Sequence, residues 1–256
     1  MISEAPGLIG IGIGTDAARV YDSIRRYKAP HRIRCYIDSD LPIDELSLLS
    51  PCPVIRDTNP SFRLINDLQN GVISAAVRGT LPSNLTLQTL KTVTGTAELE
   101  RIVLLETASG IRFFLAPVGV DEGWTVEQKL SLINRGQKIA GRFGLSDQVG
   151  VLSGGRLGDV GRHPVVDRSM ADAELICRIS GARHFEILIE EAIKECGLII
   201  APDGISGNII FRTLIFAGNG ISHGAPVVNI DPIFIDTSRV NPDYTCALIL
   251  ADSMIP

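Results

Sequence analysis

Short β-rich runs alternate with helical stretches along most of the chain, and this alternation constrains the fold more than any other feature. Residues 8–14 read as a strand, residues 15–27 as a helix and residues 32–37 as a second strand, which together make a βαβ opening. The later β-rich runs, mostly separated by helical stretches, are residues 71–77, 101–106, 112–116, 148–153 and 197–201. The pattern predicts an α/β fold with a largely parallel sheet and helices on both faces.

The strongest helix signal covers residues 126–143. Thr125 begins a T-x-x-Q capping box with Gln128, and Gly144 ends the segment. The apolar residues that recur at roughly helical spacing are Val126, Leu130, Ile133 and Ile139. Two further helices are expected after a glycine-rich segment, over residues 165–179 and 184–195.

Composition and charge favour a packed protein that does not bind nucleic acid. Of the 256 residues, 45% are hydrophobic and 21% charged, and 25 are glycine. Such a composition is typical of an α/β protein with many tight turns. The net charge is −5 and the Lys and Arg residues are scattered, so we expect neither a basic surface nor a nucleic-acid partner.

The cysteines and the apolar segments predict a cytoplasmic protein. The five cysteines form no CxxC pair, which fits reduced thiols, and no ligand spacing predicts a metal site. Glu4 and Asp16 lie around a short, glycine-broken apolar stretch, so no signal peptide is expected. Other apolar windows are far shorter than the ~20 residues that cross a bilayer, so we expect no membrane role.

The most informative segment is residues 198–213, where an apolar strand runs into a glycine-rich turn and then an amphipathic helix. The turn contains Pro202, Asp203, Gly204, Gly207 and Asn208. In open α/β sheets ligands lie at the carboxyl ends of strands, and such a turn directs backbone N–H groups and a helix dipole at an anion. The same residues also suit an ordinary turn, with Gly for positive φ and Asp or Ser as caps, and this alternative stays open.

A second candidate is the loop over residues 153–169, which follows a strand and is rich in glycine. It carries Arg156, Arg162 and Arg168, together with His163. Guanidinium groups match the oxygens of phosphate, so the loop could clamp a phosphate group. A solvated loop of mixed charge that pairs with itself is the alternative.

A third candidate is the N-terminal glycine loop. Gly10, Gly12 and Gly14 precede a helix, and Asp38 ends the second strand. This arrangement could hold a nucleotide or S-adenosylmethionine, with the acid on ribose hydroxyls. Leu8 stands where methyltransferase loops usually carry an acidic residue, and glycine is also common in buried strands.

From Gly71 onward the chain resembles the phosphate acetyl- and butyryltransferases and, more distantly, the phosphate:acyl carrier protein acyltransferases. The run PDGISGNIIFRT, which includes Asp203 and Asn208, is similar to the family's strand-to-helix corner. Residues 71–80 resemble the family's hydroxyl segment, and residues 236–239 resemble its D-L-S-R motif. The resemblance implies a three-layer αβα, isocitrate-dehydrogenase-like fold in two lobes, residues 1–117 with 222–256 and residues 118–221. It also implies a ligand in an interlobe cleft and a homodimer.

The resemblance further implies roles for particular residues. Ser238 and Arg239 would orient a thiol and a phosphate, and Asp243 is the nearest candidate for the base that accepts the thiol proton. The family's acid lies a little further along, where this chain has Thr245. The residues expected to bind phosphate or the rest of the ligand are Arg78, Thr80, Ser153, Gly155, Arg156, Arg162, His163, Asp203, Gly204, Gly207 and Asn208.

The whole chain also resembles the methanogenesis marker protein 4 family, the MtxX-type proteins of methanogens that carry a methyltransferase label. The segments that suggest this are GRLGDVGRHPVVDRS, from Gly155, and APDGISGNIIFRTL, from Ala201. We therefore expect a transferase of the phosphate acyltransferase type. The resemblance suggests coenzyme A or S-adenosylmethionine as a substrate, and it identifies no cofactor. Two alternatives stay open: a methyltransferase or methyl-transfer accessory protein, and a non-catalytic sensor or assembly factor.

Overall fold

A computed structural model describes residues 7–40 and 51–256 and divides the chain into two compact units. The first unit is drawn from Met1–Leu99 and His223–Pro256, and the second is Glu100–Ser222. The sequence-based prediction placed the start of the second lobe at residue 118. The structure begins it earlier because the hairpin before that point pairs with a later strand of the second unit.

The elements follow one another in the alternating order that the sequence predicts. In chain order the strands are β1 Ile9–Ile13, β2 Ile33–Asp38, β3 Val54–Asp57, β4 Ala75–Val77, β5 Val103–Glu106, β6 Arg112–Ala116, β7 Val149–Val151, β8 Arg183–His184, β9 Leu198–Ile200, β10 Ile221–Pro226 and β11 Ile233–Asp236. The described α-helices are α1 Ala17–Arg26, α2 Pro60–Gln69, α3 Ser83–Thr94, α4 Val126–Arg142, α5 Pro164–Ser180, α6 Ile189–Glu195, α7 Gly204–Phe216 and α8 Thr245–Met254.

The sheet of the first unit runs in the order β3, β2, β1, β4, β11, β10, and it is parallel except for the pairing of β10 with β11. Helix α1 contacts α8, and α2 contacts α3, so helices lie in two layers about the sheet. Because both faces are covered, all five residues of the central strand, Ile9–Ile13, are buried. This is the mostly parallel three-layer α/β architecture that we predicted.

The sheet of the second unit runs in the order β5, β6, β9, β7, β8, and only β5 and β6 are antiparallel. Helix α4 begins at the capping box, in which Thr125 Oγ1 accepts from the Gln128 amide and the Gln128 side chain accepts from the Thr125 amide. The predicted helix over residues 184–195 begins only at Ile189, because His184 pairs with Val151 as part of an edge strand.

Within the described residues, none of the helices combines the length and apolar character that a membrane span requires.

Candidate functional site

The predicted site residues other than Asp243 lie in two clusters, one in each unit. In parallel sheets the carboxyl ends of neighbouring strands meet at one edge. The first-unit cluster follows β4 and β11 and contains Arg78, Thr80, Ser238 and Arg239. The second-unit cluster follows β7 and β9 and contains Ser153, Gly155, Arg156, Arg162, His163, Asp203, Gly204, Gly207 and Asn208.

Arg78 is a buried internal donor and not an open anion ligand. The residue is 4% exposed, and its Nε donates to Asp236 Oδ1 at 2.5 Å. Its two terminal nitrogens donate to the carbonyls of Leu81, at 2.6 Å, and Thr237. Asp236 ends β11, and Thr237 and Leu81 lie in the turns that follow β11 and β4, so Arg78 fixes the backbone on which the cluster is built.

The Thr80 side chain accepts hydrogen bonds from two backbone amides at the end of the N-terminal glycine loop. Its Oγ1 accepts from the Gly14 amide at 3.0 Å and from the Thr15 amide at 3.2 Å, while its own amide donates to the Gly12 carbonyl at 3.1 Å. A Cβ on Gly14 would lie 2.8 Å from the Thr80 carbonyl oxygen. These glycines therefore allow close packing against the turn after β4, and the two amides are satisfied within the protein.

Ser238 and Arg239 combine a fixed backbone with side chains that are available to a ligand. Their carbonyls accept hydrogen bonds from the buried Tyr244 hydroxyl at 3.1 and 3.2 Å, and Arg19 donates to the Arg239 carbonyl at 2.9 Å. The Arg239 side chain is exposed and, across residues 7–40 and 51–256, forms no hydrogen bond or ion pair. A positively charged group thus lies on a rigid support at the carboxyl end of β11.

Asp243 belongs to neither cluster. Its Oδ1 accepts from the Thr245 amide at 2.8 Å and hydroxyl at 2.7 Å, and it lies 3.2 Å from Arg26. Burial alone would raise the pKa of Asp243, but the hydrogen bonds from Thr245 and Ser23 and the charge of Arg26 outweigh it and lower the pKa. The carboxylate therefore holds the start of α8 beside the last turn of α1, and in this setting it is a weak proton acceptor.

The strand-to-helix corner of the second unit is built for close packing. Asp203 caps α7, its two carboxylate oxygens accepting from the Ser206 amide at 2.8 Å and hydroxyl at 3.1 Å. A Cβ on Gly207 would collide with the Pro117 carbonyl oxygen, and Asn208 donates to the Val118 carbonyl at 2.9 Å. The motif thus positions the first turn of α7 against the loop after β6.

A buried ion pair supports that loop. Arg101 Nε donates to Glu122 Oε1 at 2.6 Å, and the Gly119 amide donates to Glu122 Oε2 at 3.2 Å. Burial raises the pKa of Glu122, although Arg101 and the Gly119 amide oppose the shift. Gly204, at the start of α7, also contacts this loop, because its amide donates to the Glu122 carbonyl at 3.1 Å.

Ser153 heads a short chain of hydrogen bonds. Its hydroxyl lies 2.9 Å from His184 Nε2 and 2.9 Å from the Gly155 carbonyl, and His184 Nδ1 lies 2.7 Å from Glu174 Oε1. Ser153 is 1% exposed, so this Ser-His-Glu arrangement shapes the loop after β7 and does not present a nucleophile. Sequence reasoning missed His184 and Glu174 because they lie on other elements, and no local pattern marks them.

In the loop over residues 153–169, which carries the predicted arginines, the acidic Asp159 contacts basic residues of the same loop. Arg162 pairs with Asp159 at 2.7 Å, and His163 caps α5 by accepting from the Val165 amide at 3.2 Å. The Asp159 side chain also accepts from the Arg156 amide at 2.9 Å. The Arg156 guanidinium is exposed and, within the described chain, forms no ion pair. Among the predicted arginines of this loop, Arg156 is therefore the more available to a ligand.

The described residues contain no group of three or more His, Cys, Asp or Glu side chains that could hold a metal ion.

Comparison with known proteins shows the family. No family model matches the chain. It is 46% identical over 206 residues to a protein of Methanosarcina barkeri named "Putative methyltransferase mtx subunit X", covering 78% of this chain and 76% of the relative. A protein of the same name from Methanosarcina mazei is 47% identical over 206 residues, covering 78% of this chain and 74% of the relative. The chain belongs to the mtx subunit X family.

Family members outside Methanosarcina extend the match to nearly the whole chain. A protein of Methanopyrus kandleri, described as an uncharacterized methyltransferase, is 35% identical and covers 95% of this chain and 97% of its own length. The methanogen family that the sequence resembles is therefore confirmed.

Solved structures show that this chain has the phosphotransacetylase fold. A branched-chain phosphotransacylase from Enterococcus faecalis has a TM-score of 0.72 and 13% identity, covering 97% of this chain and 99% of the other. A phosphotransacetylase from Streptococcus pyogenes has a TM-score of 0.70 and 14% identity, covering 96% and 93%. At these identities the likeness concerns the fold alone.

Proposed function

We propose that the chain is a transferase of the phosphate acyltransferase type, which binds a phosphate-bearing ligand at the first-unit cluster. The observation that carries the proposal is the exposed Arg239 guanidinium, which has no partner in the described chain and lies at the carboxyl end of β11. A guanidinium fork matches phosphate oxygens, and ligands of open α/β sheets lie at this edge. The candidate ligands are an acyl phosphate, coenzyme A or its thioester.

The surrounding residues support positioning of such a ligand. Arg19 and Tyr244 hold the Arg239 carbonyl, and the half-buried Ser238 hydroxyl is next to it. A group held in place on a rigid element loses less conformational entropy when it binds a ligand. Ser238 would then donate to the same ligand.

The chemistry proposed is acyl transfer between phosphate and a thiol. The thiol sulfur attacks the acyl carbon, the bond from that carbon to the phosphate oxygen breaks, and the phosphate leaves with its electron pair. The thiol proton passes to a base. Asp243 is a poor choice for this role, because Thr245 and Arg26 occupy its carboxylate.

Methyl transfer is a second candidate, favoured by the names of the relatives. If the protein transfers methyl groups, S-adenosylmethionine or another methyl carrier would bind near the N-terminal glycine loop. The hydrogen bonds from Gly14 and Thr15 to Thr80 weigh against direct binding there, because those amides would have to leave Thr80 to contact a cofactor. The methanogen relatives also support a place in methanogen metabolism, as a transferase or as an accessory protein.

We also propose that the protein is a homodimer in the cytoplasm. Helix α7 is strongly apolar, yet Ile205, Ile209 and Phe216 are 48%, 59% and 45% exposed, and its buried residues are Gly204 and Gly207. Such a face favours association, and a second copy of the chain can present the same face. In the described chain the five cysteines form no disulfide, which suits a reducing compartment.

Thermal shift with acetyl phosphate, coenzyme A and S-adenosylmethionine tests the proposal. Ligand binding to the native state raises the melting temperature by mass action. Acetyl phosphate or coenzyme A should stabilise the wild type and not Arg239→Ala, whereas Arg178→Ala, which removes another exposed arginine, should respond as the wild type does. A rise in melting temperature with S-adenosylmethionine alone would favour methyl transfer. Equal rises in Arg239→Ala and Arg178→Ala would show that Arg239 does not bind the ligand.

A further inference from the structure

Two cysteine thiols of the first unit lie side by side. Cys35 Sγ, on strand β2, is 3.3 Å from the Sγ of Cys52, which precedes strand β3. Cys35 is completely buried, whereas Cys52 is partly exposed. Both thiols are reduced, because a disulfide bond is only about 2.05 Å long. The two sulfurs would have to approach each other by only roughly 1.2 Å to form that bond.

The backbone around the two thiols fixes this arrangement. Strands β2 and β3 are parallel, with Cys35 opposite Val54, and the Cys35 amide donates to the Pro53 carbonyl at 3.0 Å. Cys52 lies between Pro51 and Pro53. Proline fixes its own φ and keeps the residue before it out of the helical region. Cys52 is thus held beside Cys35 by paired strands and by a stiff backbone.

The difference in exposure gives the two thiols different roles in thiol–disulfide exchange. A disulfide reagent in solution can reach the partly exposed Cys52, whereas the buried Cys35 is shielded from it. Once Cys52 has reacted, the neighbouring Cys35 is close enough to attack the Cys52 sulfur. An accessible thiol beside a buried thiol is the arrangement that closes an intramolecular disulfide.

We propose that Cys35 and Cys52 are a reversible disulfide site, and that closing the bond stabilises the first unit. The oxidant is a small-molecule disulfide, with oxidised glutathione as the probe. Cys52 loses its proton to solvent and attacks one reagent sulfur, and the other reagent sulfur leaves as a thiolate. Cys35 then loses its proton and attacks the Cys52 sulfur, which releases the second reagent thiol. The two cysteine sulfurs lose two electrons in total, and the reagent disulfide gains them.

The stabilisation follows from the position of the bond in the fold. It would link residues that are 17 positions apart, and a cross-link restricts the unfolded chain more than a native state in which the partners are already adjacent. Strand β3 lies at the edge of the sheet beside β2, so the bond would tie this edge to its neighbour. The stability of the first unit would then depend on the thiol–disulfide balance of its surroundings.

The experiment treats the full chain with oxidised glutathione and measures its mass and its melting temperature. The wild type should lose the mass of two hydrogen atoms, and digestion should give a linked pair of peptides that contains Cys35 and Cys52. The melting temperature should rise by roughly 5 °C, because the cross-link restricts the unfolded chain. Excess dithiothreitol should reverse both changes.

Three variants, mapped by the same digestion, separate the roles of the thiols. Cys35→Ala should stop at a mixed disulfide between Cys52 and glutathione, because the second attacking thiol is missing. Cys52→Ser should leave Cys35 reduced. Cys177→Ser is the matched control and should behave as the wild type, because burial raises the pKa of the Cys177 thiol to about 11 and disfavours its reactive thiolate.

Any of three results with the wild type would overturn the site. These are two thiols that stay reduced, a mixed disulfide that persists on Cys52, and a linked form that melts no higher than the reduced form. Peptide mapping of the wild type decides between them even if a variant does not fold. The experiment involves neither Arg239 nor a phosphate ligand, so its failure leaves the proposed function standing.

Discussion

Nε of Arg78 donates to Asp236 Oδ1 at 2.5 Å, and the two side chains are only 5% and 12% exposed. The residues are 158 positions apart in sequence: Arg78 follows β4, and Asp236 ends the neighbouring parallel strand β11. Their pairing holds the turn that ends in Thr80 against the turn that leads to Ser238. The first-unit cluster therefore depends on a buried ion pair that itself contacts no ligand.

Arg78→Met should destabilise the protein by about 3–5 kcal/mol, because it leaves the buried Asp236 carboxylate without the positive charge of Arg78. Urea unfolding measures the change. The double variant Arg78→Met with Asp236→Leu should recover part of the loss, since it removes both charges. A single variant as stable as the wild type would show that the pair is not important for the fold.

Asp243→Asn should lower the melting temperature at pH 7 and leave ligand affinity unchanged. The folded-state pKa of Asp243 is lowered, so its ionised form stabilises the protein above the unfolded value of about 3.9. This contribution is lost as the pH falls through the folded-state pKa. The difference in melting temperature between variant and wild type should therefore shrink below roughly pH 4.

Asp231→Asn is the matched control, because Asp231 is exposed and forms no hydrogen bond or ion pair in the described chain. It should show no such pH dependence. Loss of transfer activity in Asp243→Asn at an unchanged melting temperature would instead favour the role of general base.

Gly207→Ala and Gly141→Ala should change stability in opposite directions. A Cβ on Gly207 meets the Pro117 carbonyl oxygen, and backbone cannot move aside as a flexible side chain can, so a loss of about 1–3 kcal/mol is expected. A Cβ on Gly141 meets nothing within 4 Å, and alanine in a helix should stabilise by roughly 0.5–1 kcal/mol. Thermal unfolding of both variants measures the effects, and shifts of the same sign would contradict this packing.

Ile209→Glu should convert the proposed homodimer into a monomer. The substitution places a charge on the exposed apolar face of α7, where burial against a second copy would leave it without water. Light scattering after size-exclusion chromatography measures the mass. Leu175→Glu, at another exposed apolar position on α5, should leave the dimer intact, and a monomeric wild type would reject the proposal.

Local sequence patterns predicted the elements that depend on neighbouring residues. The capping box at Thr125 and the glycine-rich corner at Asp203 both formed as expected, since the groups that cap a helix lie within a few residues of its start. The short edge strand at His184 was missed, because its pairing partner, Val151, is distant in the chain. The inward face of α4 was only partly predicted: Ile133 is buried, but Val126 and Leu130 are only partly so, and Lys129 takes a buried position.

The sequence by itself determined the α/β class, the family and the residues that follow each strand, because these depend on local pattern and on similarity to relatives. Only the tertiary structure decided which of those residues can meet a ligand. Arg78 and Arg239 are both arginines near strand ends, yet one is buried against Asp236 and the other is exposed. Burial and pairing arise from contacts between distant segments, and they determine whether a charged side chain is available to a ligand.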